Sequence, residues 1–492
     1  MKRVLRVTLA AVLCLCALLC AACAVNPLDK AVKIGDNYTI VCAYDSQAHA
    51  LTAVQTVEAT NRADNSFTAV KFHLYANQYR EDAVKGVVPV SYKGIAYPNG
   101  ESYGDVTVDS VKVDGTPVAY TVEGEDMDIL SVPTLEEWFP DQKIAVEITY
   151  TVQLANVKHR LGWADDCVNL GNFFPVLCHV DNGNYSCTPY YNIGDPFVSD
   201  CANFDVSLKV EEGFVVASSG NLTEAISENG FVTYKYTADA VRDFAFVLSK
   251  KFQKLSQTVG NTTINYFYFN DRDGEASLAT AVGAFEYYSK NIGEYPYKQL
   301  SVCETDFCYG GMEYPSLVMV TSGSQSYKEA VAHEVAHQWF YATVGNNQIE
   351  NAWMDEGLAE YLTYLFLDST GAESLSHFVM QNLNTYTTYV DVLKNYYQNV
   401  DTTFRSIADF KNDNEYVVMT YIKGSLLFNT VHETLGEKKF FKALSDYYKE
   451  AMFTVATPSQ LIDSFAKVGG EEIATIFSNF AEGKDILGKV TD

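Results

Sequence analysis

Two histidines four residues apart, with a glutamate beside the first, lie in the segment VAHEVAHQWF at residues 331–340. On an α-helix, positions i and i+4 share a face, so His333 and His337 can hold one Zn²⁺ ion through their ring nitrogens. In the pattern H-E-x-x-H, Glu334 is not a ligand but the base that takes a proton from the attacking water. With 8 histidines in 492 residues, a chance match is about a one-in-a-hundred event. The segment therefore predicts a metal-binding helix.

A catalytic zinc site needs a third protein ligand and one open position. Glu356 lies 19 residues beyond His337, in NAWMDEGLAEYL, on a helix that follows a turn at residues 345–348. A helix pair joined by that turn can bring Glu356 beside the two histidines. Asp355 and Glu360 are rivals: Asp355 faces about 100° away, whereas Glu360 shares the face of Glu356. Glu360 is interpreted equally as a hydrogen-bond partner of a liganding histidine and as a solvated carboxylate.

The N-terminal half has the alternation of apolar and polar residues that is typical of half-buried strands. An Asp-Gly pair in VDGTP, at residues 113–117, predicts a hairpin turn. An antiparallel β domain is therefore predicted over residues 38–250. Its clearest strand patterns are at 51–59, 67–75, 106–113 and 143–152.

Near residue 275 the period changes to that of an amphipathic helix, EASLATAVGAFEYYSKNIG, which stops at Gly293. A second domain of α+β class is predicted over residues 251–492. Strands are expected at 299–304 and 317–320, and helices at 326–342, 354–368, 417–435 and 437–451.

Basic residues precede an apolar run at residues 7–25, which is the layout of a secretory signal. The stretch LLCAACAVN resembles the end of a bacterial lipoprotein signal, which implies a signal peptide at 1–22, a lipid-modified Cys23 and a tether over 23–37. Lipoprotein signals usually have leucine at the position of Cys20, so this residue departs from the pattern. A membrane-spanning anchor is the competing interpretation. The mature protein is expected outside the cytoplasm, anchored to the outer face of the cell membrane or secreted.

The formal net charge of −27 excludes nucleic acid as the expected partner and indicates a well-solvated surface. An exported protein can keep disulfides, so the four cysteines between residues 167 and 201 could form two bridges in any of three pairings. Buried thiols are the alternative for each of them.

Three motifs in order resemble the gluzincin aminopeptidases, the family of aminopeptidase N and leukotriene hydrolase. The first is the H-E-x-x-H motif, followed after eighteen residues by Glu356 in EGLAEY. The second is YGGMEYPSLV (309–318), which is similar to the family's G-x-M-E-N segment. The third is TYIKGSLLF (420–428), which is similar to the family's Y-x-K-G segment. NIGEYPY and RDFAFVLS agree more weakly. The resemblance implies a thermolysin-like catalytic domain with one zinc ion. It also implies that this domain hydrolyses the N-terminal bond of peptides with a free amino terminus.

The same resemblance assigns residue roles. Tyr421 would donate to the developing oxyanion, and Glu313 would bind the free α-amine of the substrate. The pairing strand for the substrate backbone would include Gly310, Gly311 and Met312. Lys423 and Gly424 are interpreted as structural, and Tyr314 replaces the family's asparagine, with an effect on strand contacts rather than chemistry.

Two departures from the family bear on specificity. No second amine anchor, Gln or Glu, is identified in the corresponding segment at residues 172–197, and the large helical C-terminal domain of longer relatives is not expected. The site should therefore be more open. An oligopeptidase or endopeptidase of the same fold is one alternative, and a non-catalytic, peptide-binding surface lipoprotein with a structural zinc is another.

Overall fold

The computed structural model describes residues 26–324, 326–393, 396 and 402–483. The predicted signal peptide and Cys23 lie outside these residues. Helix α1 spans Pro27–Ile34 and the first strand begins at Asp36, so the segment predicted as a tether contains a helix. Among the helices of the described residues, none combines the length and the apolar character needed to cross a bilayer.

The N-terminal half is built of β-strands joined by turns and by two longer connections, one of which contains a short helix. Its elements are β1 (Asp36–Asp45), β2 (Ala50–Thr60), β3 (Phe67–His73), α2 (Lys93–Ala96), β4 (Asp105–Val113), β5 (Thr116–Pro117), β6 (Thr121–Glu123), β7 (Ile129–Trp138), β8 (Lys143–Gln153), β9 (Leu161–Trp163), β10 (Val168–Leu170), β11 (Val176–Leu177), β12 (Val180–Asp181), β13 (Asn184–Tyr185), β14 (Ala202–Glu211), β15 (Val215–Ser218), β16 (Asn221–Glu228), β17 (Phe231–Val241) and β18 (Phe246–Ser249).

These strands form an eight-stranded sheet in the order β16-β17-β14-β1-β2-β8-β4-β5, two four-stranded sheets, β15-β18-β10-β9 and β11-β3-β7-β6, and the hairpin β12-β13. Pairing is antiparallel, as predicted, except that β1 runs parallel to β14. The hairpin predicted at the Asp-Gly pair is confirmed: Val113 pairs with Thr116, and Asp114 and Gly115 have φ of 48° and 77°. Positive φ at both central residues is the turn that matches strand twist.

The C-terminal half combines a small sheet with helices. Its elements are β19 (Gln253–Val259), β20 (Thr262–Tyr268), α3 (Gly274–Asn291), β21 (Gln299–Thr305), β22 (Gly311–Met312), β23 (Leu317–Thr321), α4 (Tyr327–Ala336), β24 (Gly345–Asn346), α5 (Gln348–Asn351), α6 (Glu356–Thr370), α7 (Leu375–Leu393), α8 (Asp413–Tyr416), a π-helical turn (Val417–Ile422), α9 (Lys423–Leu435), α10 (Glu437–Ala451), β25 (Val455–Ala456), α11 (Pro458–Gly469) and α12 (Glu471–Glu482). The sheet order is β19-β20-β21-β23-β22. The α+β class is confirmed.

Helix boundaries differ from the predicted ones in two places. The helix expected over 326–342 ends at Ala336, because His337 caps it and the chain then turns back through Tyr341, whose amide donates to the carbonyl of Val344 at 2.8 Å. His337 keeps α-helical angles (φ −60°, ψ −16°), so the i, i+4 relation with His333 survives. The helix expected from 417 begins with a π-helical turn. No helix was predicted at the positions of α7, α11 and α12, or at those of the shorter helices α1, α2, α5 and α8.

One continuous hydrophobic core joins the two halves. Polar contacts also cross the junction: the side-chain amide of Gln299 donates to the carbonyls of Ser218 and Ser219 at 3.0 and 3.1 Å, and the hydroxyl of Tyr297 donates to the carbonyl of Ala240 at 2.9 Å. The seven described cysteines are free thiols, five of them buried, so no disulfide joins them in the described structure. The two halves therefore pack as one unit, and no disulfide between the described cysteines links them.

Two glycines set the approach of α6 to α9. A Cβ atom on Gly357 would lie 2.8 Å from Cα of Gly424, and the reverse contact is the same length. Side chains at this crossing would push the helices apart, because a well-packed interior cannot accept an extra methyl group without strain. Gly424 therefore has a structural role, because its lack of a side chain lets α6 carry Glu356 close to the turn that carries Tyr421.

Candidate active site

The side chains of His333, His337 and Glu356 converge on one point. His333 Nε2 and His337 Nε2 lie 3.2 and 3.1 Å from Oε2 of Glu356, and 3.1 Å from each other. A tetrahedral zinc ion about 2.0–2.1 Å from each of its ligands separates those ligands by about 3.3–3.4 Å. The triangle is therefore close to the size that one zinc ion requires, and the donor set is the one that zinc prefers.

The outer nitrogen of each histidine has its own partner. His337 Nδ1 donates to the carbonyl of Phe340 at 3.0 Å, and His333 Nδ1 lies 3.2 Å from Oε2 of Glu360. Such contacts hold the proton on Nδ1 and direct the Nε2 lone pair toward the metal position. Of the two interpretations of Glu360, the geometry favours the hydrogen-bond partner of a liganding histidine.

Glu356 begins α6 and is 2% exposed. Burial alone would raise its pKa, but His337 and His333 hold the pKa of this carboxyl well below its usual range. An ionised carboxylate at this depth needs positive partners, because a buried charge without them is strongly destabilising. The site is therefore built to keep Glu356 as an anionic ligand.

Glu334 lies against the edge of the sheet beside the donor triangle. A Cβ atom on Gly311 would lie 2.2 Å from Oε1 of Glu334, so only glycine at this position leaves room for the carboxylate. Oε2 of Glu334 is buried and has no hydrogen-bond partner among the described residues. Burial raises the pKa of Glu334 to about 7, against the opposing effect of His333 and His337.

Tyr421 approaches from the other side, on the π-helical turn. Its ring stacks on that of His333 with centroids 5.9 Å apart, and its hydroxyl is hydrogen-bonded to Glu356. Single π-helical turns are frequent at functional sites. Lys423, two residues further, is buried and donates to the carbonyl of Phe480 at 3.1 Å, in keeping with a structural role.

Strand β22 forms the edge of the catalytic sheet next to Glu334. Gly311 and Met312 pair with Val320 and Met319 of β23, and β22 ends the strand order. A Cβ atom on Gly310 would meet nothing within 4 Å. An open strand edge of this kind can accept an extended peptide as an added strand.

Glu313 follows this strand, is 3% exposed, and lies near a carboxylate that the sequence did not reveal. Carboxylate oxygens of Asp195, Glu313 and Glu356 all lie within 4.8 Å of one another. Asp195 comes from the β domain, inside the segment in which no second anchor was identified, and it forms an ion pair with buried Arg160. Its signal in the sequence is slight, an aspartate after Gly194, whose φ of 65° suits glycine.

The rival ligand Asp355 has a different environment. Its Oδ1 accepts a hydrogen bond from Asn346 Nδ2 at 2.9 Å, and its Oδ2 accepts one from Gln348 Nε2 at 2.8 Å. Gln348 lies at the turn that was expected only to reverse the chain. Its contact with an acid of the site was not predicted from the sequence.

Tyr314 connects the site to the β domain. Its hydroxyl donates to Oδ1 of Asn172 at 2.7 Å, and Asn172 Nδ2 donates to Asp243 at 2.7 Å. Burial raises the pKa of Asp243 to about 7. The neighbouring Arg242 donates to the carbonyls of Ala342 and Thr454 at 3.3 and 3.1 Å, which fixes the loop after the histidine helix.

A β domain is followed by a mixed domain in which two histidines of the α4 segment and Glu356 of α6 form a donor set suited to zinc. Residues 276–480 match the model of the Peptidase family M1 domain.

Several aminopeptidases and solved zinc metallopeptidase structures are also similar to this chain. Leucyl aminopeptidase of Saccharolobus solfataricus is 23% identical over 304 residues, 57% of this chain and 38% of that relative. Aminopeptidase N of Lactococcus lactis subsp. lactis is 25% identical over 309 residues, 57% of this chain and 35% of that relative. The chain thus spans little more than about a third of the length of these relatives.

The M1 zinc metallopeptidase of Deinococcus radiodurans superposes with a TM-score of 0.64 at 16% identity, covering 92% of this chain and 94% of that one. A variant of that protein bound to the substrate Tyr-Ser-Ala gives the same TM-score at 15% identity, covering 92% and 95% of the two chains. At this level of identity, the likeness establishes the fold.

Replacing Glu360 with alanine should lower zinc affinity by about 10–100-fold, the usual cost of removing the partner of a liganding histidine. Competition with a chelator of known affinity measures the change. Glu373→Ala, which removes an exposed carboxylate beyond the end of the same helix, is the matched control and should leave affinity unchanged. Equal affinities in the two variants would show that Glu360 is only a surface acid.

Proposed function

We propose that the protein is an exported, zinc-dependent aminopeptidase that hydrolyses the N-terminal peptide bond of peptides. The observation that supports this most strongly is the position of two buried acids, Glu313 and Asp195, directly beside the His333, His337 and Glu356 donor set. A metal triad alone would support hydrolysis in general. The adjacent acidic pocket supports a substrate that carries a positive charge next to the cleaved bond.

His333, His337 and Glu356 would hold the ion, and a tetrahedral ion with three protein ligands keeps one position for chemistry, unlike a structural zinc. When bound there, zinc supplies Lewis-acid chemistry, polarising a carbonyl and lowering the pKa of water toward about 7. Glu334 is the base in this proposal: its free Oε2 is the acceptor for the proton of the attacking water, and the same oxygen can pass that proton to the leaving amine.

Tyr421 is the proposed donor to the developing oxyanion. Burial raises the pKa of its hydroxyl well above the usual value, so the phenol stays protonated and can donate. Its attachment to the π-helical turn and its stacking on His333 fix the direction of the hydroxyl. A donor held in place before the reaction stabilises charge without reorganisation.

Glu313 and Asp195 are the proposed anchors of the α-ammonium group. Burial and the nearness of Asp195 raise the pKa of Glu313 well above its usual range, which reflects two acids without enough positive charge around them. Arg160 offsets one of the two charges, and the substrate ammonium would offset the other. Strand β22, with Gly310, Gly311 and Met312, would pair with the substrate backbone and direct the first peptide bond to Glu334.

Location outside the cytoplasm, with a lipid on Cys23, is the remaining part of the proposal. It is supported by the basic and apolar N-terminal pattern and by the Ala-Ala-Cys-Ala sequence at residues 21–24. Helix α1 begins at Pro27, four residues after Cys23. A lipid on that cysteine would hold the β domain close to a membrane surface.

Exchanging Glu334 for glutamine should reduce kcat by about a thousandfold or more, because the amide cannot accept the proton of water. The zinc content should stay at one ion per chain, since Glu334 is not a ligand, and metal analysis of the same preparation checks this. A fully active Glu334→Gln variant would rule out the mechanism.

Acetylating the N-terminus of a peptide substrate should lower kcat/KM by roughly a hundredfold, since an amide has no charge to pair with two buried carboxylates. The same peptide with an amidated C-terminus is the control and should be cleaved at the original rate. Equal cleavage of acetylated and free peptides would instead identify an oligopeptidase or endopeptidase.

Cys23→Ser should move the protein from the membrane fraction to the soluble fraction, because a single serine cannot carry the lipid. Cys20→Ser is the matched control and should leave membrane association intact. Immunoblotting of separated fractions measures both. Persistent membrane association of Cys23→Ser would favour an uncleaved membrane-spanning segment.

A further inference from the structure

We propose that Gln348 is a positioning residue of the amine pocket, which fixes the carboxylate of Glu313 in the direction needed to bind the substrate ammonium. This inference rests on the proposed aminopeptidase function and adds a residue to it. Gln348 is the first residue of α5 and is 1% exposed. Its Nε2 donates to Oε1 of Glu313 at 2.8 Å and to Oδ2 of Asp355 at 2.8 Å.

The orientation of this amide follows from its neighbours. A side-chain amide has one end that donates and one that accepts, and both carboxylates can only accept when ionised. The NH₂ group of Gln348 faces Glu313 and Asp355, the orientation in which it donates to both carboxylates. Asn347 caps α5 through Ile349 N and Glu350 N at 3.1 and 3.2 Å, which holds the backbone of Gln348 in place.

The contact ties Glu313 to the helix that carries the third zinc ligand. Asp355 immediately precedes Glu356, and its other oxygen is held by Asn346 at 2.9 Å. Among the described residues, Gln348 is the hydrogen-bond donor to the carboxylate of Glu313. The distance from the amine anchor to the metal ligands is therefore set by a short chain of hydrogen bonds and not by strand β22 alone.

A second buried glutamine matches Gln348 in its contacts and can serve as its control. Oε1 of Gln348 is buried without a hydrogen-bond partner among the described residues. Buried Gln55 in the β domain has the same defect: its Nε2 donates to the carbonyl of Pro175 at 2.8 Å and its Oε1 is unpartnered. Gln55 provides a matched control, because it is a buried glutamine remote from the acids.

The test uses the full-length, zinc-loaded protein with Gln348→Met, which keeps the volume and removes the amide. Two substrates are compared: an aminoacyl 4-nitroanilide and the same compound without its α-amine. We expect kcat/KM for the free-amine substrate to fall roughly 10–100-fold, the cost of a hydrogen bond to a charged group, with most of the change in KM. The des-amino substrate should change by less than about twofold. Gln55→Met should leave the ratio of the two at its original value, whatever its effect on the thermal midpoint.

A double-mutant cycle separates positioning from general damage. In a Glu313→Gln background, Gln348→Met should cause no further loss for the free-amine substrate, because the group that it positions is already neutral. Additive losses, or an equal fall for both substrates in the single variant, would overturn the proposal while leaving the aminopeptidase function standing. If the unmodified protein itself does not distinguish the two substrates, the amine pocket is wrong and the role of Gln348 falls with it.

Discussion

The meeting of His333, His337 and Glu356 is the interaction on which the rest of the site depends. It places an anionic carboxylate in the interior, where its charge must be balanced by the two imidazoles or by a cation. Other features of the fold serve this meeting. The crossing at Gly357 and Gly424 lets α6 come close enough, and the contacts of the two Nδ1 atoms direct both rings inward. Without the glycine pair, Glu356 and Tyr421 could not lie close enough for their hydrogen bond.

The site is completed by both halves of the chain, which explains why they share one core. The β domain supplies Asp195 and its partner Arg160, and it holds the loop after the histidine helix through Arg242. Tyr314, where the family pattern has asparagine, reaches Asn172 across the junction. A relative movement of the two halves would therefore change the spacing of the amine pocket and the zinc ligands together.

Local patterns in the sequence predict the histidine pair, the Asp-Gly hairpin, the order of the β and α+β domains and the residues that carry the family motifs. Local patterns do not predict contacts between distant segments. Asp195 lies more than a hundred positions from Glu313, and nothing local to either residue indicates that they meet. Gln348 looked like part of a turn because its function depends on where α5 is packed. The helix end at Ala336 coincides with a turn just beyond it, in which the amide of Tyr341 donates to the carbonyl of Val344. Helix α11 is different, because its start is marked locally by the capping box of Thr457 and Gln460 and by Pro458 at the first position.

The acids around the metal position are the physical basis of the proposed preference for an ammonium group. Five carboxylates lie in the same small region, and burial raises the pKa of Glu334 and of Asp355 to about 7. Burial is the main cause, and the neighbouring Glu356 adds to it, because like charges disfavour the ionised form. Zinc and Arg160 supply part of the opposing positive charge, and the N-terminal ammonium of a peptide can supply more where Glu313 and Asp195 meet. A blocked terminus brings no charge and leaves two desolvated acids facing each other. In this proposal, selection for a free amine follows from the charge balance of the site, with shape as a second requirement.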